Sequence, residues 1–402
     1  MKLNNLNKQD QNIIHMDLDS FFVSVERLRE PKLRDVPLLI GGSTNRGVVA
    51  SCSYEARKFG IHSAMPMKAA RRLCPHAVVI GGDSELYSKY SHLVTDIIKE
   101  QVPLYEKSSI DEFYIDLSGM ERFYNSYLLA KKIKKDIKRE SGLNISFGHS
   151  INKTVSKVAT NESKPNGYCK VEKGAEKFFL SPLKVNKIPQ VGEKTYQTLR
   201  SMGVVRVRTL QQMPLDLVEN VLGKNGRSIW QKAQGIDNSP VKPYSERKSM
   251  SSERTFNQDT TDVFQLKSLL VGMTERLAFK LRKEQKLTAC VTVKIRYSDF
   301  DTQSMQCRLP YTSCDHILID KVKELFDKLY QRRMLIRLIG VRFSHLVGGG
   351  YQINLFEDTE ERINLYQAMD HIRKRFGDGK IKRATAMHLR HPKMNPFNGI
   401  AT

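Results

Sequence analysis

Two short acidic segments offer the chemistry with the clearest physical logic: Met16-Asp17-Leu18-Asp19 and, far downstream, Ser109-Ile110-Asp111-Glu112. Carboxylates brought together at a sheet edge repel one another and raise each other's pKa. A divalent cation removes that cost. With neither His nor Cys in the set, the ligands are hard oxygens, which favour magnesium or manganese over zinc. Two such ions ~3.5–4 Å apart stabilise the attacking and leaving oxygens of phosphoryl transfer. Strand alternation puts Asp17 and Asp19 on one face, and Asp111 and Glu112 on opposite faces. Spacing alone therefore leaves open which acids bind metal, and any single one of them also reads as a solvated strand-end acid.

Other segments complement this chemistry. On a helix, Tyr54, Arg57 and Lys58 of Tyr54-Glu-Ala-Arg57-Lys58 fall at i, i+3 and i+4, so one face presents a hydroxyl and two cations. Arg57 can hold a triphosphate by forked hydrogen bonds, and Lys164 in the turn Ser163-Lys-Pro-Asn-Gly167 can add a second clamp. Ile188-Pro-Gln-Val-Gly-Glu-Lys-Thr195 precedes a helix and has the layout of a helix-hairpin-helix. Such a turn binds a DNA phosphate through backbone N–H groups. The first glycine of the usual Gly-hydrophobic-Gly pattern is replaced by Gln190, so Gly192, with Lys194 beside it, carries the expectation. In Val291–Tyr297, Val291, Val293, Ile295 and Tyr297 share one face of a strand. Lys294 and Arg296 lie with Thr292 on the other, a basic face suited to DNA.

These groups need a scaffold. Asn12–Leu18 reads as a buried strand followed by a helix near Ser20, which Asp19 could cap. Val48–Arg57 and Ile61–Cys74 read as small helical segments, and Tyr105–Leu117 as two strands about a tight reversal. Ser126–Ser141 reads as a basic amphipathic helix and Asn144–Ser150 as a strand. Strand, helices, strand, strand, helix, strand is the ferredoxin-like order. From Val171 to Gly235 short helices alternate with Gly and Pro. Val241–Arg254 has no apolar period and reads as a linker. Thr261–Lys283 (helix), Val291–Tyr297 and Ser304–Leu309 (strands), Asp315–Gln331 (helix) and Leu335–Leu346 (strand) form a second small α/β unit. Gly81-Gly82-Asp83 resembles a cyclase word but closes an apolar strand and reads as a turn.

The chain has 402 residues, enough for several domains, and a formal net charge of +23. That surplus calls for a polyanionic partner. No run reaches the ~18–20 apolar residues of a membrane helix, so the partner is nucleic acid, not a bilayer. Met1–Asn12 is polar and lacks a signal-peptide core. The six cysteines include no CxxC pair and suit a reducing cytosol.

The segments HMDLDSFFVSVE, SYEARKFGI, SSIDEFYIDLSG, FGHSINKTVSKVATNESKPNG and IPQVGEKT, in this order and spacing, resemble the Y-family DNA polymerases, most closely the DNA polymerase IV type. The resemblance spans Ile13 to Leu346. It implies an α+β multidomain right hand: a ferredoxin-like palm (1–25 and 84–172), small fingers (26–83), a helix-hairpin-helix thumb (173–240), a linker (241–248), an α/β little finger (249–346) and a tail (347–402). It implies that Asp17, Asp111 and Glu112 bind two Mg²⁺, with Leu18 lending its backbone carbonyl and Asp19 structural. It makes Phe22 the steric gate, whose ring would clash with a ribose 2′-hydroxyl, and makes Ser51, Tyr54, Arg57 and Lys164 the dNTP contacts. The implied enzyme is a monomeric, cytoplasmic, nucleoid-associated bacterial lesion-bypass polymerase on primer-template DNA, with no segment left for a proofreading exonuclease.

Just after a glycine run, Gln352-Ile-Asn-Leu355-Phe356 resembles the peptide that bacterial replication proteins insert into the sliding clamp. Gln352 would hydrogen-bond while Leu355 and Phe356 fill an apolar pocket. No role follows for the basic stretch His371–Lys393. A nucleotidyl cyclase on the same palm leaves the hairpin and the positive charge unexplained. A DNA-binding scaffold has no use for the three acids.

Overall fold

The computed structural model describes residues 11–386, apart from 43, 45, 121–122, 124, 244–245, 350–359, 378–379 and 382. The peptide Gln352–Phe356 lies outside the described residues. The chain divides into two units, the first ending at Ser245 and the second beginning at Glu246.

The first unit opens with β1 (Ile13–Leu18) and α1 (Phe21–Arg29). Next come β2 (Leu38–Gly41), β3 (Val49–Cys52), α2 (Tyr54–Arg57), α3 (Met67–Leu73) and β4 (Val78–Ile80). Then follow α4 (Ser84–Lys99), β5 (Leu104–Lys107), β6 (Glu112–Asp116), α5 (Ser126–Ser141), β7 (Ile145–Ser150), α6 (Lys153–Ser163) and β8 (Tyr168–Lys170). The main sheet runs β5-β6-β1-β7-β8, with β1 antiparallel to both neighbours. Its first four members stand in ferredoxin-like order. Every residue of β1 is buried, as a central strand demands. The helix α5 starts at Asn125, whose side chain accepts from the N–H groups of Tyr127 and Leu128, and stops at Gly142 in the left-handed region. Its Ala130, Ile133 and Ile137 face the core at helical spacing. At Gly148 a Cβ would stand 2.1 Å from the Ser156 carbonyl oxygen. Only glycine lets α6 lie this close to β7, and α6 and the turn after it carry two of the site's lysines.

Helical readings near the fingers are corrected. Val49–Cys52 is a strand, buried throughout, and pairs antiparallel with β2, which in turn pairs parallel with β4. The apolar run Leu38-Leu39-Ile40 supplies a pairing partner that outweighs local propensity. The helix is only Tyr54–Arg57, capped by Ser53. Of Ile61–Cys74, only Met67–Leu73 is helical, because Pro66 starts the helix rather than continuing one. Asp83 accepts from the Leu86 N–H at 3.1 Å and caps α4, so Gly81-Gly82-Asp83 is a turn into a helix.

Five short helices follow: α7 (Glu176–Leu180), α8 (Glu193–Ser201), α9 (Val207–Gln212), α10 (Leu215–Leu222) and α11 (Lys224–Ala233). Their core includes Val185, Ile188, Leu199, Leu210, Val218 and Ile229. Gln190 sits at φ 78°, a left-handed conformation in which a side chain is strained. Replacing Gln190 with Gly should raise stability by about 0.5 kcal/mol. The gain is small because the bond from the Ser228 hydroxyl to Gln190 Oε1, 3.0 Å, is lost. Urea denaturation of the two proteins measures the difference, and a destabilised variant would contradict the strain.

The second unit contains β9 (Ser249–Thr260), α12 (Val263–Lys283), β10 (Lys286–Tyr297), β11 (Thr302–Thr312), α13 (Asp315–Leu329), β12 (Ile336–Gly348) and α14 (Glu360–Phe376). The antiparallel sheet runs β11-β10-β12-β9. Val291, Val293, Ile295 and Tyr297 pack with Leu266, Leu270, Leu318, Val322 and Phe326 of α12 and α13. The linker reading of Val241–Arg254 is corrected from Ser249 onward. That segment is an edge strand whose buried residues are only Met250 and Phe256, and edge strands carry polar residues that hide the strand signal.

Candidate active site

The pairing of β1 and β6 sets Asp17 directly opposite Glu112, and β7 sets Ser146 opposite Asp17 on the other side. Asp111 precedes β6, in the reversal, and its carbonyl accepts the Leu18 N–H at 3.0 Å. Strand alternation therefore does not apply to Asp111, and the fold brings all three acids to one sheet end. Ser109 shapes the reversal: its hydroxyl donates to the Asp111 carboxylate at 2.6 Å and accepts the Glu112 N–H at 3.1 Å.

Charge is concentrated here at a cost. Burial, together with the carboxylates of Asp111 and Glu112, pushes the Asp17 carboxyl up to about 8, although the Lys164 ammonium is paired with it. Burial, with Glu112, also raises Asp111. Burial opposes ionisation of Glu112 too, but its surroundings hold it below the usual range. Of those surroundings, His15 is buried and pushed down to about 3, so it is neutral at physiological pH. The partner that holds Glu112 ionised there is Lys157, 2.8 Å away. Neither His15 nor Lys157 stood out in the sequence; a lone His in an apolar strand and one Lys among many give no local signal.

Three hard carboxylates short of positive charge fit a divalent cation chemically. Among the described residues, however, no three His, Cys, Asp or Glu side chains converge as a ready metal cage. Each acid is turned to its own partner: Asp17 to Lys164, Asp111 to Ser109 and Glu112 to Lys157.

Asp19 does not cap α1. The cap position is Ser20, at φ 43° and without a side-chain bond. Instead the Asp19 carboxylate accepts from the Ser146 hydroxyl at 2.9 Å, the Asn166 N–H at 2.7 Å and the Tyr54 hydroxyl at 3.4 Å. It thus fastens the end of β1 to β7, to the turn carrying Lys164 and to α2. Arg57 stacks on the Tyr54 ring, 4.7 Å from its centroid, and Ser51 is buried on β3. Phe21 is core. Phe22 lies almost flat on Tyr87, with centroids 4.3 Å apart and planes 17° apart, and Tyr87 donates to Glu26 at 2.7 Å.

The impB/mucB/samB family model matches residues 16–161, and the model of that family's C-terminal domain matches 247–355. A DNA polymerase IV of Dehalococcoides mccartyi is 37% identical over 94% of this chain and 98% of its own. One of Clostridioides difficile is 36% identical over 91% of this chain and 99% of its own. Among solved structures, a chimera of the Y-family DNA polymerases Dbh and Dpo4 matches with TM-score 0.74 and 26% identity, covering 84% of this chain and 100% of that one. DinB from Sulfolobus solfataricus matches with TM-score 0.59 and 25% identity over 84% of this chain and 100% of its own. The chain belongs to the Y-family DNA polymerases, of the DNA polymerase IV type. It is a DNA-directed DNA polymerase of translesion synthesis.

The four expected DNA contacts of the polymerase are placed as follows. Gly192 starts α8, but its N–H already donates to the Gln190 carbonyl at 3.1 Å. Lys194 is exposed on the first turn. Lys294 and Arg296 lie half-buried on the sheet face away from the core, paired with Glu253 at 3.0 Å and with the Thr302 hydroxyl at 2.7 Å. Among the described residues, no helix of the polymerase is long and apolar enough to cross a membrane.

Proposed function

We propose that the polymerase joins dNTPs to a primer 3′-hydroxyl at the Asp17, Asp111 and Glu112 sheet end, with two Mg²⁺ ions held by these acids and the Leu18 carbonyl. The observation that carries this reading is the register that sets Asp17 opposite Glu112 with Asp111 in the adjoining reversal. When bound, the metal supplies charge stabilisation for the attacking and leaving oxygens. The chain's own residues bind and position. Lys164 gives up Asp17 and, with Arg57, takes charge on the triphosphate. Tyr54 and Ser51 orient the phosphates from the fingers side, and Phe22 bars the ribose. The assignments of 1–25 and 84–172 as palm, 26–83 as fingers, 173–240 as thumb, 241–248 as linker, 249–346 as little finger and 347–402 as tail complete the reading. Gly192, Lys194, Lys294 and Arg296 are the DNA contacts on this reading. Gly192 must release Gln190 before its amide can hold a phosphate.

The enzyme copies without proofreading, as a monomer in a bacterial cytoplasm near the nucleoid. Extension of a primer across an abasic template with Mg²⁺ tests the synthesis. Incubating a primer with a labelled, mispaired 3′ nucleotide tests the rest: release of the label as a mononucleotide would refute the absence of proofreading.

Gln352, Leu355 and Phe356 are proposed to engage the sliding clamp. Deleting Gln352–Phe356 should abolish clamp-stimulated synthesis and leave synthesis without the clamp unchanged. Primer extension with and without the loaded clamp reads both, and undiminished stimulation would remove the assignment.

A further inference from the structure

Beyond the catalytic site, the second unit holds a cluster of charge. Arg282 of α12 donates to both oxygens of Asp370, at 2.7 and 3.0 Å, and to Asp315 at 2.6 Å. Arg373 lies 3.9 Å from Glu275, and Arg383 donates to Glu275 at 3.0 Å. This network, which fixes α14 against α12 and α13, balances three guanidinium groups with three carboxylates.

Beside it lies a cavity of about 370 Å³, walled by the start of β10, the Ser313 segment and α14. Here the charge does not balance. Lys286, Lys374 and His371 line it. Its one lining acid is Asp370, already engaged by Arg282. The Lys286 side chain is only 9% exposed, and its Nζ has no hydrogen-bond partner. Its nearest carboxylate is the exposed Glu246, 3.7 Å away, beyond hydrogen-bond distance. An ammonium taken out of water without a bonded partner is costly, so a wall built this way calls for an anion. The volume exceeds what a halide fills and falls in the range of pockets for small ligands.

We propose that this cavity is a binding site for a phosphate group, with Lys286 as the buried anchor and Lys374, His371 and Ser313 as the nearby polar groups. Two sources carry that chemistry: a free phosphorylated small molecule, such as pyrophosphate, and a DNA backbone phosphate.

Hydrogen–deuterium exchange on the full chain in EDTA, with added pyrophosphate or with a short duplex, tests the site and separates the sources. Slower exchange in the first residues of β10 and in α14 with pyrophosphate identifies a small-molecule phosphate site. The same protection with the duplex alone identifies a backbone phosphate. In Lys286→Met, which keeps the apolar stem, the concentration needed for protection should rise at least about tenfold. Exposed Lys374→Gln should weaken binding in the same direction and covers the case in which Lys286→Met disturbs folding. Absence of protection by either probe, or equal protection in wild type and both variants, overturns the proposal.

Discussion

Replacing Asp111 with Asn is expected to lower primer extension by about a thousandfold or more while leaving the fold intact or slightly firmer. The loss follows from its proposed role, since removing a group that stabilises transition-state charge costs on the order of 10²–10³ or more in rate. The stability effect has a separate cause. Asp111 has no cationic partner of its own: its carboxylate is met by the Ser109 hydroxyl and is raised by burial and by Glu112. A neutral amide of the same shape keeps an acceptor for Ser109 and removes a repulsive charge, so in EDTA the variant should gain up to about 1 kcal/mol. Thermal melts then give a second signature. A cation bound to the folded state raises stability by mass action, so Mg²⁺ should raise the wild-type midpoint more than that of Asp111→Asn. Equal extension by the two proteins would end the catalytic assignment. Equal Mg²⁺ shifts with unequal extension would instead leave Asp111 in catalysis without a metal.

What could be read in advance followed the strength of local signals. Ser126–Ser141 was legible to its ends because Asn125, the apolar stripe and Gly142 all act within the segment. The strand at Ile13–Leu18 was legible because a central strand is apolar on both faces. The strand Val49–Cys52 was not, since what makes it a strand is β2, not its own four residues. The edge strand from Ser249 was hidden because half its surface meets water. The same division runs through the site. The acidic segments stood out by composition, but register alone sets Asp17 against Glu112, and turn geometry alone frees Asp111 from alternation. The link from Asp19 to Asn166 and the pair Lys157–Glu112 join residues far apart in sequence, which no periodicity announces.

Phe22→Ala should relax sugar selection on the order of a hundredfold, measured as the ratio of kcat/KM for dNTP to that for rNTP. The gate excludes by bulk, so its removal helps the ribonucleotide without weakening any bond to the deoxynucleotide. The prediction must be separated from damage to the fold. Phe22 is only 8% exposed and stacks on Tyr87, so truncation also costs about 3 kcal/mol of stability. Substitution at Tyr87, which is fully buried beneath the gate, makes the separation. Tyr87→Phe keeps the stacked ring and loses only the bond to Glu26, about 1 kcal/mol, so selection should stay near wild type. Tyr87→Leu removes the flat support while Phe22 remains, so the gate ring gains freedom and selection should fall part of the way. The graded order of wild type and Tyr87→Phe, then Tyr87→Leu, then Phe22→Ala is the expected result. If Phe22→Ala discriminates as wild type does, Phe22 is core packing. If Tyr87→Phe relaxes selection as much as Phe22→Ala, the hydrogen bond to Glu26, rather than the bulk of the ring, governs the sugar.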